Sequence, residues 1–124
     1  MNKRYIENSI PKAIELINNN PNIYNETLKK VPNEFMGYVS SFAVAIAQSG
    51  AIQAVTFYED RGSAKFPREE ILNVIKELME VENLREYIAN NPILGKEKLL
   101  DSAIVFKMAL RVFKLEKGME SWVD

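Results

Sequence analysis

Apolar residues recur at spacings of three and four along most of this chain, which is the pattern of amphipathic helices. Before residue 50 the repeat consists of Phe35, Val39, Phe42, Ala43 and Ile46, and after it of Ile52, Val55 and Tyr58. Gly50 separates the two stretches and can enter the left-handed conformation that closes a helix, so the chain can reverse with almost no linker. The pattern therefore predicts two helices that meet in a tight corner at Gly50.

The N-terminal part of the chain predicts one further helix before this corner. Its apolar repeat covers residues 5–17, and the asparagine-rich run 18–22 ends it. Pro11 either kinks this helix or begins its main portion, because proline cannot donate a backbone hydrogen bond. Pro32 suits the first turn of the long helix that ends at Gly50.

The second half of the chain predicts three more helices. Pro67 opens the first, with acidic residues in its first turn that complement the helix dipole. Asn83 and Glu86 resemble a capping box, which predicts a short helix over 84–90. The last helix is expected to run over 96–121, after a break at Pro92 and Gly95. No stretch alternates with period two, so no strand is predicted.

Composition and length place these helices in one compact all-α bundle of about five to six helices, spanning residues 1–124 as a single domain. The hydrophobic fraction of 47% and the charged fraction of 27% are ordinary for a globular protein.

No apolar run reaches the roughly 20 residues needed to span a bilayer, and the N-terminus lacks a signal-peptide core, so we expect a cytoplasmic protein.

The residue inventory argues against an enzyme. The chain has no histidine and no cysteine, which removes the commonest general base, most nucleophile–base pairs and most transition-metal ligands. Gly-rich phosphate loops are also missing. We therefore expect no catalytic residue, no metal site and no cofactor, and a site of paired carboxylates is a distant third alternative.

Basic residues form two candidate RNA contacts. On the last predicted helix, a basic stripe lies one position around from the apolar repeat of residues 99–113, and a second group lies in the loop after residue 60. The candidates for RNA-backbone contact are Lys107, Arg111 and Lys114 on the helix, and Arg61, Lys65 and Arg68 in the loop. Cations that neutralise phosphates position RNA without reading its sequence. The alternative is an ordinary solvated surface, and the net charge of −1 requires any RNA contact to be local or shared with partners.

Aromatic residues carry two further interpretations. Phe42, Phe57 and Tyr58 lie on helical stripes, so we expect them in the core rather than stacked on bases. Trp122 lies beyond the last patterned turn, where either a fold-back or a partner protein would bury it.

Residues 42–60 resemble the signature of one known family. An apolar helix ends in Gln48, Ser49 and Gly50, and a segment of small apolar residues follows it and closes on the aromatic pair Phe57 and Tyr58. This arrangement is similar to that of the small helical subunit of the Cmr-type (type III-B) CRISPR RNA-silencing effector complex. Chain length and all-helical content agree with this resemblance.

The resemblance implies a non-catalytic subunit of an antiviral ribonucleoprotein. Its partners would be the other subunits of the Cmr-type complex, further copies of itself in the minor filament, and CRISPR RNA with its target RNA. Target RNA would be cut elsewhere, by aspartates of larger subunits. Two alternatives stay open at this point: the small subunit of the sister type III-A (Csm) complex, and a helical protein–protein adaptor that binds no nucleic acid.

Overall fold

The computed structural model describes residues 1–113 and the backbone of residues 115–116. Within these residues, the chain forms six helices and one pair of two-residue strands. The elements are α1 (Lys3–Asn18), β1 (Val31–Pro32), α2 (Glu34–Ser49), α3 (Ala51–Tyr58), α4 (Glu69–Met79), α5 (Leu84–Asn90), α6 (Pro92–Leu110) and β2 (Leu115–Glu116). The all-α bundle predicted from the sequence is confirmed. No helix among the described residues is long and apolar enough to span a bilayer.

Helix α6 is the centre of the bundle. It contacts α1, α2, α4 and α5, and its buried residues cover a broader part of its surface than a single narrow stripe, as expected for a helix packed against several others. They are Gly95, Leu99, Asp101, Ser102, Ala103, Val105, Phe106, Ala109 and Leu110. The predicted apolar repeat on this helix therefore lies in the core of the molecule.

The two short strands show how α2 and α6 are oriented. β1 pairs with β2 in parallel, with Val31 opposite Leu115 and Pro32 opposite Glu116. Since α2 starts just after β1 and α6 ends just before β2, the start of α2 and the end of α6 lie at the same end of the molecule. The start of α1 lies beside the middle of α6, where the backbone N–H of Asn2 donates to Oδ2 of Asp101 over 2.8 Å.

Gly50 forms the predicted corner between α2 and α3. Its N–H donates to the carbonyl of Ile46 over 3.1 Å, and its own carbonyl accepts from Ala54 over 3.1 Å. Its φ of 95° and ψ of 159° lie in a region that is essentially restricted to glycine, and not in the left-handed helical region that the sequence suggested. The corner is confirmed, with a more extended reversal than a standard helix C-cap.

Several predicted boundaries were wrong. Pro32 lies in β1 instead of the first turn of α2, and Gly95 lies inside α6 instead of in a break before it. Pro11 lies inside α1, which begins at Lys3. The last helix ends at Leu110 instead of residue 121, because the chain leaves the helix there to pair with β1. This pairing joins segments that are distant in sequence, so no local sequence pattern predicts either strand.

Candidate nucleic-acid interface

The C-terminal part of α6 carries two of the three residues of the predicted basic stripe. Arg111 is exposed, Lys107 is half-buried, and Leu99, Ala103, Phe106 and Leu110 beside them are buried. Neither cation forms an ion pair with any other residue of the described chain. Lys114 and Trp122 lie outside the described residues. Lys107 and Arg111 therefore leave two positive charges on one face of α6, in positions where phosphates can reach them.

The other predicted cations lie in the loop between α3 and α4, and two of them face carboxylates. Arg61 Nη2 lies 3.9 Å from Oε2 of Glu69, and Lys65 Nζ lies 3.9 Å from Oε2 of Glu34. Both pairs are long, and the lysine side chain is 72% exposed, so each pair contributes little to stability. These cations can exchange a carboxylate for a phosphate at small cost.

Arg68 has a structural role that its sequence position did not reveal. Its Nε donates to the carbonyl of Asp60 over 2.9 Å, and its Nη2 donates to the carbonyl of Phe57 over 3.1 Å. The guanidinium also lies 4.3 Å from the centre of the Phe57 ring. Arg68 thus neutralises the carbonyl end of α3, where a positive charge is favourable. Its role as an RNA contact stays a prediction.

The aromatic residues of the corner divide between core and surface. Phe42 and Tyr58 are buried, their ring centres lie 4.9 Å apart, and the Tyr58 hydroxyl donates to the carbonyl of Tyr38 over 2.9 Å. Burial raises the pKa of Tyr58, and the nearby charge of Arg68 partly opposes that rise. Phe57 is 62% exposed, so its predicted place in the core was wrong. The side chain lies on the outer face of α3, under the guanidinium of Arg68.

A shallow concavity of about 420 Å³ runs between α2 and α3 on the outside of the corner. Small residues and two exposed apolar side chains line it: Ser41, Val44, Ala45, Gln48, Ser49, Gln53, Ala54 and Phe57. Gln48 and Ser49 are exposed, whereas the apolar residues on the inner face of both helices are buried. The residues of the family signature thus form a rigid corner and an exposed, partly apolar outer surface.

A much larger open groove, of about 1120 Å³, lies between the segment after α1 and the loop before α4. Its walls are mainly polar: Asn18, Asn19, Pro21, Asn22, Ile23, Tyr24, Asn25, Glu26, Lys29, Pro32, Arg61, Phe66 and Pro67. We call it the asparagine groove. Sequence reasoning missed this groove, because it treated the asparagine run only as the end of a helix. The asparagine run was the sequence feature that could have indicated the groove.

Carboxylates and buried phenols complete the description of the polar side chains. Among the described residues, no cluster of three carboxylates is placed to hold a metal ion. The other buried phenol with a shifted pKa, Tyr5, is raised chiefly by burial and donates or accepts a 2.7 Å hydrogen bond with Ser102. Tyr5 lies between α1 and α6, and Lys98 Nζ lies 5.3 Å from the centre of its ring.

Comparison with known proteins identifies one family whose model matches the chain. Residues 8–113 match the family model described as "CRISPR-associated protein (Cas_Cmr5)". No curated protein and no solved structure matches the chain. The match covers all of α2 to α6 and most of α1.

Proposed function

The chain belongs to the Cas_Cmr5 family of CRISPR-associated proteins, and from this premise we propose that it is a non-catalytic small subunit of a type III-B effector complex. In this proposal copies of the chain stack in the minor filament of a cytoplasmic antiviral ribonucleoprotein. They lie along the guide–target RNA and contact its backbone. The observation that carries the proposal is the family match over residues 8–113.

Two surface features support an assembly role. Exposed apolar side chains lie on α2, α3 and α6, and large exposed apolar side chains in a group are typical of surfaces that other proteins cover. They include Val44, Ile52, Phe57, Ile93 and Leu94. Two of these residues, Val44 and Phe57, line the concavity between α2 and α3. A helical adaptor without nucleic acid would use the same surfaces, so the RNA contacts distinguish the two functions.

RNA-backbone contact in this proposal is made by Lys107 and Arg111, and Lys114 is the third candidate. Phosphate contact releases counterions and makes binding dependent on salt. Since the chain has a net charge of −1, these contacts act together with those of partner subunits. The loop cations Arg61 and Lys65 can join them, because their carboxylate partners are 3.9 Å away.

The test is the double variant Lys107→Glu/Arg111→Glu in a reconstituted complex. We expect weaker RNA binding, and a slope of log affinity against log salt that is smaller by about 1.4, at roughly 0.7 per lost phosphate contact on a single strand. RNA affinity measured by filter binding at several salt concentrations gives the slope directly.

The matched control is Lys3→Glu/Arg4→Glu, which makes the same change in charge at the start of α1. Both residues are exposed, and acidic residues in the first turn of a helix are favourable, so this variant should fold. An equal loss of slope in both variants would assign the effect to net charge. An unchanged slope in the α6 variant would reject the contacts there.

Co-purification separates this function from its alternatives. The complex purified with the tagged chain should contain short RNAs of uniform length together with larger protein subunits. Protein partners without RNA would support the adaptor. Turnover of RNA by the isolated chain would contradict a non-catalytic role.

A further inference from the structure

We propose that the asparagine groove binds a short stretch of unpaired RNA, with bases in the groove and phosphates at its rim. This inference rests on the proposed function, because it assumes that the chain lies along RNA. Nothing in the family match assigns a role to this groove. Its volume of about 1120 Å³ is above the usual range for small-molecule pockets, so it has room for more than one nucleotide.

Asparagine side chains supply contacts for base edges. Asn20 and Asn22 anchor the segment, since their Nδ2 atoms donate to the carboxylate of Glu70 over 3.0 and 3.1 Å. Asn18 and Asn19 are exposed, and their side chains make no hydrogen bond to any other described residue. Each amide offers both a donor and an acceptor, as the edges of unpaired bases require.

Aromatic rings supply stacking surfaces at the same place. Tyr24 and Phe66 line the groove, and both are half-buried. Tyr24 packs at a tilt against Phe113, with ring centres 5.5 Å apart, so its ring is held in place from one side. A base stacks on such a ring whatever its identity, which suits a subunit that must accept any RNA sequence.

Charge at the rim favours RNA over a neutral ligand. Arg61 and Lys29 are both exposed and line the groove, against a single lining carboxylate, Glu26. Lys29 has a φ of 55°, a left-handed conformation that gives the turn before β1 a defined shape. The loose 3.9 Å contact between Arg61 and Glu69 leaves this guanidinium able to reach a phosphate.

The groove also lies near the C-terminal end of α6. Phe113, which packs on Tyr24, follows Arg111 by two residues at the end of α6. An RNA strand in the groove could therefore extend toward Arg111. This nearby positive charge favours a nucleic-acid strand over a neutral peptide as the occupant.

The test uses the reconstituted complex with target RNA that carries 4-thiouridine at single positions. After irradiation, crosslinked peptides are identified by mass spectrometry. We expect crosslinks in residues 18–26 or 61–67. The variant Tyr24→Leu should lower the yield of these crosslinks about tenfold, because a leucine cannot stack on a base.

A second variant tests the base-edge contacts. Asn18→Asp replaces an amide donor with a negative charge at the groove, and we expect a severalfold loss of RNA affinity. The matched control is Asn90→Asp, since Asn90 is likewise an exposed last residue of its helix but lies on α5. Equal effects of the two substitutions would remove the support for the groove.

The outcomes separate this inference from the proposed function. If the complexes contain RNA but crosslinks are confined to Lys107, Arg111 and their neighbours, RNA does not bind in the asparagine groove. The proposed function would be unaffected. Crosslinks from the groove to a partner protein, or to residues 117–124 of the chain, would also overturn RNA binding in the groove. A purified complex without RNA would overturn the function, and the groove with it.

Discussion

Gly50 is required at the corner by its backbone conformation and not by crowding. A Cβ atom built on this residue meets no heavy atom within 4 Å. Its φ of 95° and ψ of 159° nevertheless lie where residues with side chains are strained. At the scale of single residues, one conformational requirement thus determines the angle between two helices.

Replacement of Gly50 with alanine should lower the free energy of unfolding by about 1–3 kcal/mol, because alanine is strained in this conformation. Gly37→Ala is the control: Gly37 lies inside α2, and its Cβ would also meet nothing within 4 Å. That substitution should stabilise the protein by about 0.5–1 kcal/mol. Urea denaturation of both variants measures the difference, and equal values would contradict the conformational argument.

Ionisation of Tyr5 makes the free energy of unfolding depend on pH in the alkaline range. Its pKa is raised from the ordinary value of 10.0, chiefly by burial, although the hydrogen bond with Ser102 opposes the rise. Tyr5 is neutral in both states at neutral pH, and above its ordinary pKa the unfolded chain ionises first. The stability that burial of the neutral phenol provides is therefore complete below pH 10 and is lost as the pH rises through the folded-state pKa.

The variant Tyr5→Phe should show a shallower loss of stability above pH 10. At pH 7 it should cost about 0.5–1.5 kcal/mol, because the hydrogen bond to Ser102 is gone. Burial also raises the pKa of Tyr58, so part of the alkaline loss should persist in the variant. Urea midpoints between pH 7 and 11 would show this, and identical pH profiles for variant and native chain would reject the role of Tyr5.

At the scale of elements, the N-termini of α5 and α2 differ in whether a side chain caps them. The side chain of Asn83 accepts a 3.0 Å hydrogen bond from the N–H of Glu86 at the start of α5. Asn33 holds the same position before α2, but its side chain makes no capping bond. Asn83→Ala should therefore lower the free energy of unfolding by about 1 kcal/mol.

Asn33→Ala is the matched control for this cap, because the same change removes no capping hydrogen bond there. We expect an effect below about 0.5 kcal/mol. Thermal or urea denaturation of the two variants gives the comparison. A larger loss for Asn33→Ala would show that the capping bond is not what stabilises α5.

Helices with local signals were predictable from the sequence, and elements that depend on distant pairing were not. Pro67 with the acidic residues after it, and Asn83 with Glu86, mark helix starts within a few positions, and both starts were found. The end of α6 has no such mark, since the residues after Leu110 can continue a helix. Its end is determined by the pairing of β2 with β1, which only the folded chain brings together.

At the scale of the whole molecule, the candidate site was only partly predictable. The positions of the cations Lys107 and Arg111 on one face follow from the period of one helix. The carboxylate partners of Arg61 and Lys65 come from other elements, so their pairing was not visible in the sequence. The asparagine groove likewise needs two separate segments to meet.

The charge of the whole chain predicts weak RNA binding in isolation. With a net charge of −1, the isolated protein should bind short RNA no more tightly than a dissociation constant of about 10⁻⁶ M at physiological salt. The assembled complex should bind far more tightly, since its partners add cations. Fluorescence anisotropy of both samples tests this, and tight binding by the chain alone would contradict shared contacts.

The central position of α6 also has a consequence for synthesis of the protein. This helix contacts four of the other five described helices, yet it is the last of them along the chain. While the ribosome is still adding its residues, the apolar faces of α1, α2 and α4 have no common surface to cover them. We therefore expect the native bundle to form only after the residues of α6 have emerged, and the earlier apolar faces to be prone to aggregation until then.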